Sequence, residues 1–152
     1  MMLKLVLDPD KRLKQVCKPV PEDEFGTPEL IKQVGDMTET MYAYAGIGLA
    51  ANQVGFENRV IIVVKDPNKF PNSTPLVLIN PRIESRSNKK QTMREGCLSF
   101  PAKTRMRRRS STVRITAYDV NGEKFKWQAK GLAAQCIQHE IDHLNGKTFM
   151  DR

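Results

Sequence analysis

The sequence predicts an α+β protein in which mainly antiparallel strands pack around a C-terminal helix. Three observations predict it. An apolar stripe of helical period follows Thr27-Pro28, β-branched segments fill the middle of the chain, and a second helical stripe follows Gly131. No repeat or inter-domain linker interrupts this order. Residues 1–152 therefore read as a single domain, large enough to bury its own core.

The elements follow in order. Residues 3–7 form a short apolar segment, and Asp8-Pro9-Asp10 can open a helical turn. Thr27 is an N-cap residue with Pro28 at the first helical position. Leu30, Val34, Met37, Met41 and Tyr44 then recur at intervals of four and three, the mark of a helix with one buried face. Gly46 is expected to end it. Residues 59–64 are rich in Val and Ile and read as a buried strand. Residues 65–75 hold three prolines and read as a loop. Residues 76–80 and 83–87 read as two further strands. Residues 113–119 and 124–129 flank Val120-Asn121-Gly122-Glu123, where Asn-Gly signals a hairpin.

Composition narrows the function. No apolar run is long enough to span a bilayer, and Met1-Met2-Leu3-Lys4 leads into charged sequence rather than a signal peptide. The expectation is a cytoplasmic protein with no membrane partner. Three cysteines without regular spacing argue against a disulfide framework. The net charge of +8 invites an anionic partner. Much of it lies in Lys103-Thr104-Arg105-Met106-Arg107-Arg108-Arg109, which reads first as a charged, solvated loop.

The stretch with chemistry is Gln138-His139-Glu140-Ile141-Asp142-His143. It holds the chain's two histidines, at i and i+4, so both rings stand on one helix face and can grip one metal ion. Glu140 projects beside them, placed to act as a general base toward water. A catalytic metal usually takes a third protein ligand. Cys136 lies seven residues from His143, roughly 10 Å along the helix, which is too far to share an ion with it. Cys17, Cys97, Asp151 and upstream carboxylates remain open.

Two other stretches stand out. Gly46-Ile47-Gly48-Leu49-Ala50-Ala51-Asn52-Gln53 has small residues that let backbone approach a ligand, and Gln53 offers an amide N–H to a developing oxyanion. Arg94-Glu95-Gly96-Cys97-Leu98-Ser99 carries a cysteine beside a carboxylate, and that carboxylate is either a competing ligand or an ion-pair anchor.

Taken together, Gly46-Ile47-Gly48-Leu49-Ala50-Ala51-Asn52-Gln53, Glu95-Gly96-Cys97-Leu98-Ser99 and Gln138-His139-Glu140-Ile141-Asp142-His143 resemble the three signature motifs of the peptide deformylases, in order and over almost the whole chain. The resemblance implies a hydrolase that removes the formyl group from the N-terminal formylmethionine of new polypeptides and releases formate. It implies metal ligation by Cys97, His139 and His143, natively with Fe(II), which Zn, Ni or Co can replace. Glu140 would be the acid–base group, and the Gln53 side chain and Leu98 N–H would hold the oxyanion. The methionine pocket would be formed by Ile47, Met93, Leu132, Gln135 and Cys136, with substrate backbone pairing at Ile47, Gly48 and Gly96. Glu95 would form a structural ion pair with Arg109.

Two departures from the family pattern are expected to matter. Gln135 stands where an aliphatic residue is usual, which suggests a polar pocket mouth. Asp151-Arg152 follows shortly after the helix, whereas longer members continue into a further helix implicated in ribosome contact. Ribosome docking would then fall to another surface, such as the basic run, with no specific nucleic acid sequence read. The rivals are an HExxH endopeptidase, which needs a groove on both sides of the scissile bond, and a basic RNA-binding module with a structural zinc. A structural zinc site needs four protein ligands, and only three credible ones exist.

Overall fold

The computed structural model describes residues 1–70 and 72–151. Besides short 3-10 turns, the described residues form two α-helices and seven strands: α1 (Pro28–Ala43), β1 (Gly48–Ala50), β2 (Val60–Val64), β3 (Pro75–Arg86), β4 (Lys90–Cys97), β5 (Phe100–Ser110), β6 (Thr112–Tyr118), β7 (Lys124–Lys130) and α2 (Gly131–Leu144). All strand pairs are antiparallel. Five strands form one sheet in the order β1-β2-β3-β6-β7, and β4 with β5 forms a separate two-stranded sheet. The α+β architecture is therefore as the sequence predicts.

β2 shows why the chain folds this way. All five of its residues are buried, so each face of the sheet needs a cover. Ile61 and Val63 face α2, where they join Ile137, Ile141 and Leu144. Val60, Ile62 and Val64 point the other way and meet Leu30, Met37 and Met41 of α1. The period of two on the strand thus meets the helical period on both sides. Full burial of one such aliphatic side chain contributes about 1.5–3 kcal/mol, so this three-layer stack is the rigid base on which the functional elements stand. α2 also faces the β4–β5 sheet, to which Gln138 donates from Nε2 at the Ser110 carbonyl (2.9 Å).

Helix α1 starts as expected, with the Thr27 hydroxyl accepting from the Leu30 N–H (3.3 Å) and Pro28 in the first turn. It stops before Gly46. Tyr44 caps it, and Ala45 takes the left-handed turn at φ 55°.

The two strands expected at 76–80 and 83–87 are one continuous strand, β3. Asn80-Pro81, at the end of the first, is absorbed by a register shift between Ile79 and Arg82, with Asn80 at φ 50°. Asn80 is anchored there by Val20, whose N–H donates to Oδ1 (2.8 Å) and whose carbonyl accepts from Nδ2 (3.0 Å). The hairpin forms between β6 and β7, and the Asp119 side chain accepts from the Asn121 and Glu123 amides (both 2.9 Å).

The run 103–109 is a strand rather than a loop. Its alternation is hidden because the face turned toward protein, Lys103, Arg105, Arg107 and Arg109, is the basic one, while the other carries Thr104, Met106 and Arg108. Arg105 and Arg107 donate to the Met150 and Phe149 carbonyls, and Arg109 pairs with Glu95. Three of the five basic residues therefore fasten the C-terminal segment and the helix. Lys103 and Arg108 remain exposed, as do Lys90 and Arg94 of β4.

Gly146 fixes the turn after α2. It sits at φ 73°, and a Cβ there would overlap the Lys14 carbonyl oxygen. Gly146→Ala should destabilise the protein by at least the ~1–2 kcal/mol of a left-handed non-glycine residue. A denaturation midpoint equal to that of the wild type would show that this turn can move away from residues 14–15.

Candidate metal centre

α2 carries His139 and His143 on its inner face, with ring centroids 4.9 Å apart. β4 ends at Cys97, where the register with β5 shifts between Gly96 and Cys97 so that Cys97 sits opposite Phe100. That irregularity brings the cysteine to the helix. Cys97 Sγ lies 3.3 Å from His143 Nε2, which lies 3.2 Å from His139 Nε2. The metal-capable donors of these three residues all fall within 4.8 Å of one another. Donors about 2.0–2.3 Å from a shared tetrahedral centre stand roughly 3.3–3.8 Å apart, so the set fits one borderline-soft cation.

The other ligand candidates go elsewhere. Cys17 is buried among core residues, and Asp151 accepts from the Thr148 N–H (2.8 Å) and pairs with Lys14 (3.0 Å).

A buried ionic cluster supports the site. Glu95 Oε1 accepts from His139 Nδ1 (2.9 Å) and Arg109 Nη2 (2.9 Å), while Oε2 accepts from Arg109 Nε (2.6 Å). Arg109 also donates to Asp142 (2.8 Å). Burial disfavours the Glu95 carboxylate, but the hydrogen bonds from His139 and Arg109 outweigh it and hold the group down to about 2. A permanent anion at Nδ1 fixes the tautomer of His139, leaving the Nε2 lone pair for a cation. Glu95 is thus spent as a hydrogen-bond acceptor. Burial keeps His143 uncharged, well below its ordinary range.

Glu140 is 4 % exposed, and its Oε1 has no hydrogen-bond partner among the described residues. Burial pushes its carboxyl up to about 7. A carboxylate poised near neutrality is suited to taking and returning a proton. Beside it runs β1. A Cβ on Gly48 would lie 2.6 Å from Glu140 Oε2 and 2.8 Å from Cys136 Sγ, so only glycine lets the strand pass this close. Gly48→Ala should displace Glu140 and cut kcat/KM by on the order of 10²-fold, with the metal retained. Unchanged kinetics would mean that β1 yields instead.

Gln53 stands on the short 3-10 turn Ala51–Val54. The Ala50 N–H donates to its Oε1 (2.9 Å), which turns Nε2 toward Cys97 Sγ (3.3 Å) and Ser99 Oγ (3.2 Å). The oxyanion donor suggested by the sequence is therefore aimed at the metal ligands by a backbone anchor.

A family model for polypeptide deformylase matches residues 2–152. The chain belongs to the polypeptide deformylase family. A peptide deformylase of Hahella chejuensis is 44 % identical over 149 residues, 98 % of this chain and 85 % of that protein. Among solved structures, the class I type b peptide deformylase of Acinetobacter baumannii with Met-Ala-Ser bound superposes with a TM-score of 0.93. It is 33 % identical and covers 100 % of this chain and 98 % of its own. The Thermotoga maritima peptide deformylase gives 0.90 at 35 % identity, over 100 % and 97 % of the two chains. The family is metal-dependent, and its reaction is removal of the formyl group from the N-terminus of nascent polypeptides. That is the reaction of this deformylase.

The other residues expected at the site from the sequence are placed as follows. Ile47 and Gly48 are half-buried, and the Ile47 carbonyl lies 3.5 Å from the Cys136 thiol. Met93 and Leu132 are half-buried, Gly96 is exposed, and Leu98 packs against Gly46. Gln135 differs from expectation. It is 2 % exposed, and its amide is engaged by protein on every side rather than standing at an open mouth. Sequence reasoning missed Asn52, which donates to the His143 carbonyl (2.6 Å), and also Ser99, Asp142 and Gln91. Asn52 is signalled by its place next to Gln53. Ser99 and Asp142 likewise lie inside the signature motifs, whereas Gln91 acts across elements and carries no local signal.

Proposed function

We propose that Cys97, His139 and His143 hold the metal of this deformylase, that Glu140 is its acid–base group, and that Gln53 with the Leu98 N–H forms its oxyanion hole. The observation that carries the reading is the convergence of one thiol and two imidazoles beside a buried carboxyl with a free oxygen. A cation held there would act as a Lewis acid, polarising the formyl carbonyl and favouring deprotonation of water near neutral pH.

The chain supplies the rest. Glu140 Oε1 takes a proton from the water that adds to the formyl carbon. The carbon–nitrogen bond then breaks, and Glu140 delivers the proton to the leaving amine. Formate and a free N-terminus are the products. Gln53 Nε2 donates to the oxygen on which charge develops, and the Leu98 N–H is the second donor. Ile47, Gly48 and Gly96 offer main-chain groups to an extended substrate in the manner of an added strand.

The methionine side chain is received by Ile47, Met93, Leu132, Cys136 and the alkyl part of Gln135. The Met-Ala-Ser complex of the Acinetobacter baumannii protein supports an N-terminal methionyl peptide as the ligand class. The Glu95–Arg109 pair keeps His139 in register.

Fe(II) is the proposed metal, with Zn, Ni or Co accepted by the same donors; one thiolate and two imidazoles suit all of them. The proposed workplace is the cytoplasm, and no described helix is long and apolar enough to cross a membrane. Transient ribosome contact is assigned to the exposed basic side chains of the β4–β5 sheet, Lys90, Arg94, Lys103 and Arg108.

The test is metal analysis of anaerobically prepared protein, with formate release from formyl-Met-Ala-Ser measured on the same sample. One iron per active chain, with activity that decays in air, supports the reading. Full activity with zinc, indifferent to oxygen, rules out iron as the native metal.

A further inference from the structure

Where the pocket wall meets the β4–β5 sheet, an unbroken chain of amides runs into the cluster behind the metal ligands. Gln91 Nε2 donates to the Gly131 carbonyl (2.7 Å) and to Gln135 Oε1 (3.1 Å). Gln135 Nε2 donates to the Arg107 carbonyl (3.1 Å) and, in a short contact, to Glu95 Oε2. The orientation of each amide is forced. A carbonyl and a carboxylate can only accept, so Nε2 of Gln135 must face them. Its Oε1 is then left for Gln91, which the Gly131 carbonyl has already turned. Glu95 thereby gains a fourth donor beside the two from Arg109 and the one from His139.

The geometry points to Gln135 as a positioning residue for the metal centre, acting through Glu95 on the orientation of His139. The inference rests on the ligand assignment above. Arg109 grips the Glu95 carboxylate from β5, and Gln135 grips it from α2, one helical turn before His139. Arg109 holds both carboxylate oxygens and fixes their plane relative to its guanidinium. The second grip, from α2, fixes that pair relative to the helix that carries His139, and without it the pair can shift with the β5 side chain. Outer-shell partners of this kind hold the imidazole where its other nitrogen must bind the cation. An aliphatic side chain at position 135 could line the methionine pocket equally well, but would leave Oε2 to Arg109 alone.

The test is Co(II) binding to the metal-free protein, read by competition and by the visible and near-ultraviolet bands of Co(II) held by a thiolate and imidazoles. Gln135→Met keeps the length and removes the donor. It should bind Co(II) roughly 10–100-fold more weakly, with shifted bands. Gln138→Met is the control. It removes another buried amide that ties α2 to β5, through the Ser110 carbonyl, without touching Glu95. Its Co(II) affinity should stay close to that of wild type, well short of the roughly 10–100-fold loss expected when an outer-shell partner goes, because no donor to Glu95 is removed.

Wild-type affinity and bands in Gln135→Met overturn the inference. So do equal losses in both variants, which would mark a purely structural tie. If Gln135→Met does not fold, Gln91→Met decides. It frees Oε1, should weaken Co(II) binding in the same direction, and an unchanged affinity overturns the proposal. Failure of the wild-type protein to take up Co(II) is a separate result, and it removes the ligand assignment itself.

Discussion

Glu140→Gln should keep the metal and lose ~10²–10⁴ of kcat/KM for formyl-Met-Ala-Ser, the usual range for removal of a general base. The substitution is isosteric and leaves Cys97, His139, His143 and the Glu95 cluster untouched. It removes the one carboxyl in the site that is not already committed. Glu95 is held as a full anion by Arg109 and His139, and Asp142 is engaged by Arg109. Glu140, by contrast, has a free Oε1 and is lifted to about 7 by burial. An amide cannot take the proton, so the loss should fall on kcat more than on KM. Metal content measured beside the kinetics separates this outcome from loss of the cation. Wild-type turnover in the variant would remove Glu140 from the mechanism.

Cys97→Ser should lower metal affinity by more than the roughly 10–100-fold that follows loss of an outer-shell partner, because a ligand itself is replaced. A thiolate binds these cations far better than a hydroxyl. The comparison variants are Cys17→Ser and Cys136→Ser. Cys17 is buried in the core, and Cys136 is buried against Ile47 and Gly48, where desolvation pushes its thiol well up. Both should lose stability before they lose metal. Stoichiometry after dialysis, with competition against a chromogenic chelator, reads the difference. If Cys136→Ser empties the site and Cys97→Ser does not, the third ligand has been misassigned.

Comparing residues shows what kind of information was local. The stripe Leu30, Val34, Met37 and Met41 gave α1 its span and buried face, because neighbours on a helix are three and four residues apart in sequence. The fully apolar run of β2 gave a strand covered on both faces for a similar reason. The basic run 103–109 misled because strand alternation is recognised by an apolar face turned toward protein. Here the protein-facing side is the basic one and the other carries Thr104, Met106 and Arg108, and the partners of the arginines lie far away in sequence: the Glu95 carboxylate and the Phe149 and Met150 carbonyls. Residues 76–87 misled because Pro81 breaks a regular strand, while a register shift and one left-handed Asn80 let the strand continue.

By itself the sequence determined the fold class, the family motifs and the candidates for the reactive groups. The paired histidines and the adjacent Glu140 are spacing signals, and spacing is a property of the chain; Cys97 stood out from Cys17, Asp151 and the upstream carboxylates only through the resemblance of its motif to the family's. Only the tertiary structure decided how these groups are employed. The register shift at the end of β4 brings Cys97 to α2, the glycine at 48 lets β1 press on Glu140, and the docking of α2 between two sheets gives Gln135 to Glu95. Gln135 is the plainest case. The sequence marked it as an unusual polar residue and placed it at a pocket mouth, yet its amide is spent on Glu95, Arg107 and Gln91. A buried amide must find donors and acceptors somewhere, and which ones it finds is set by the packing of segments that are distant along the chain.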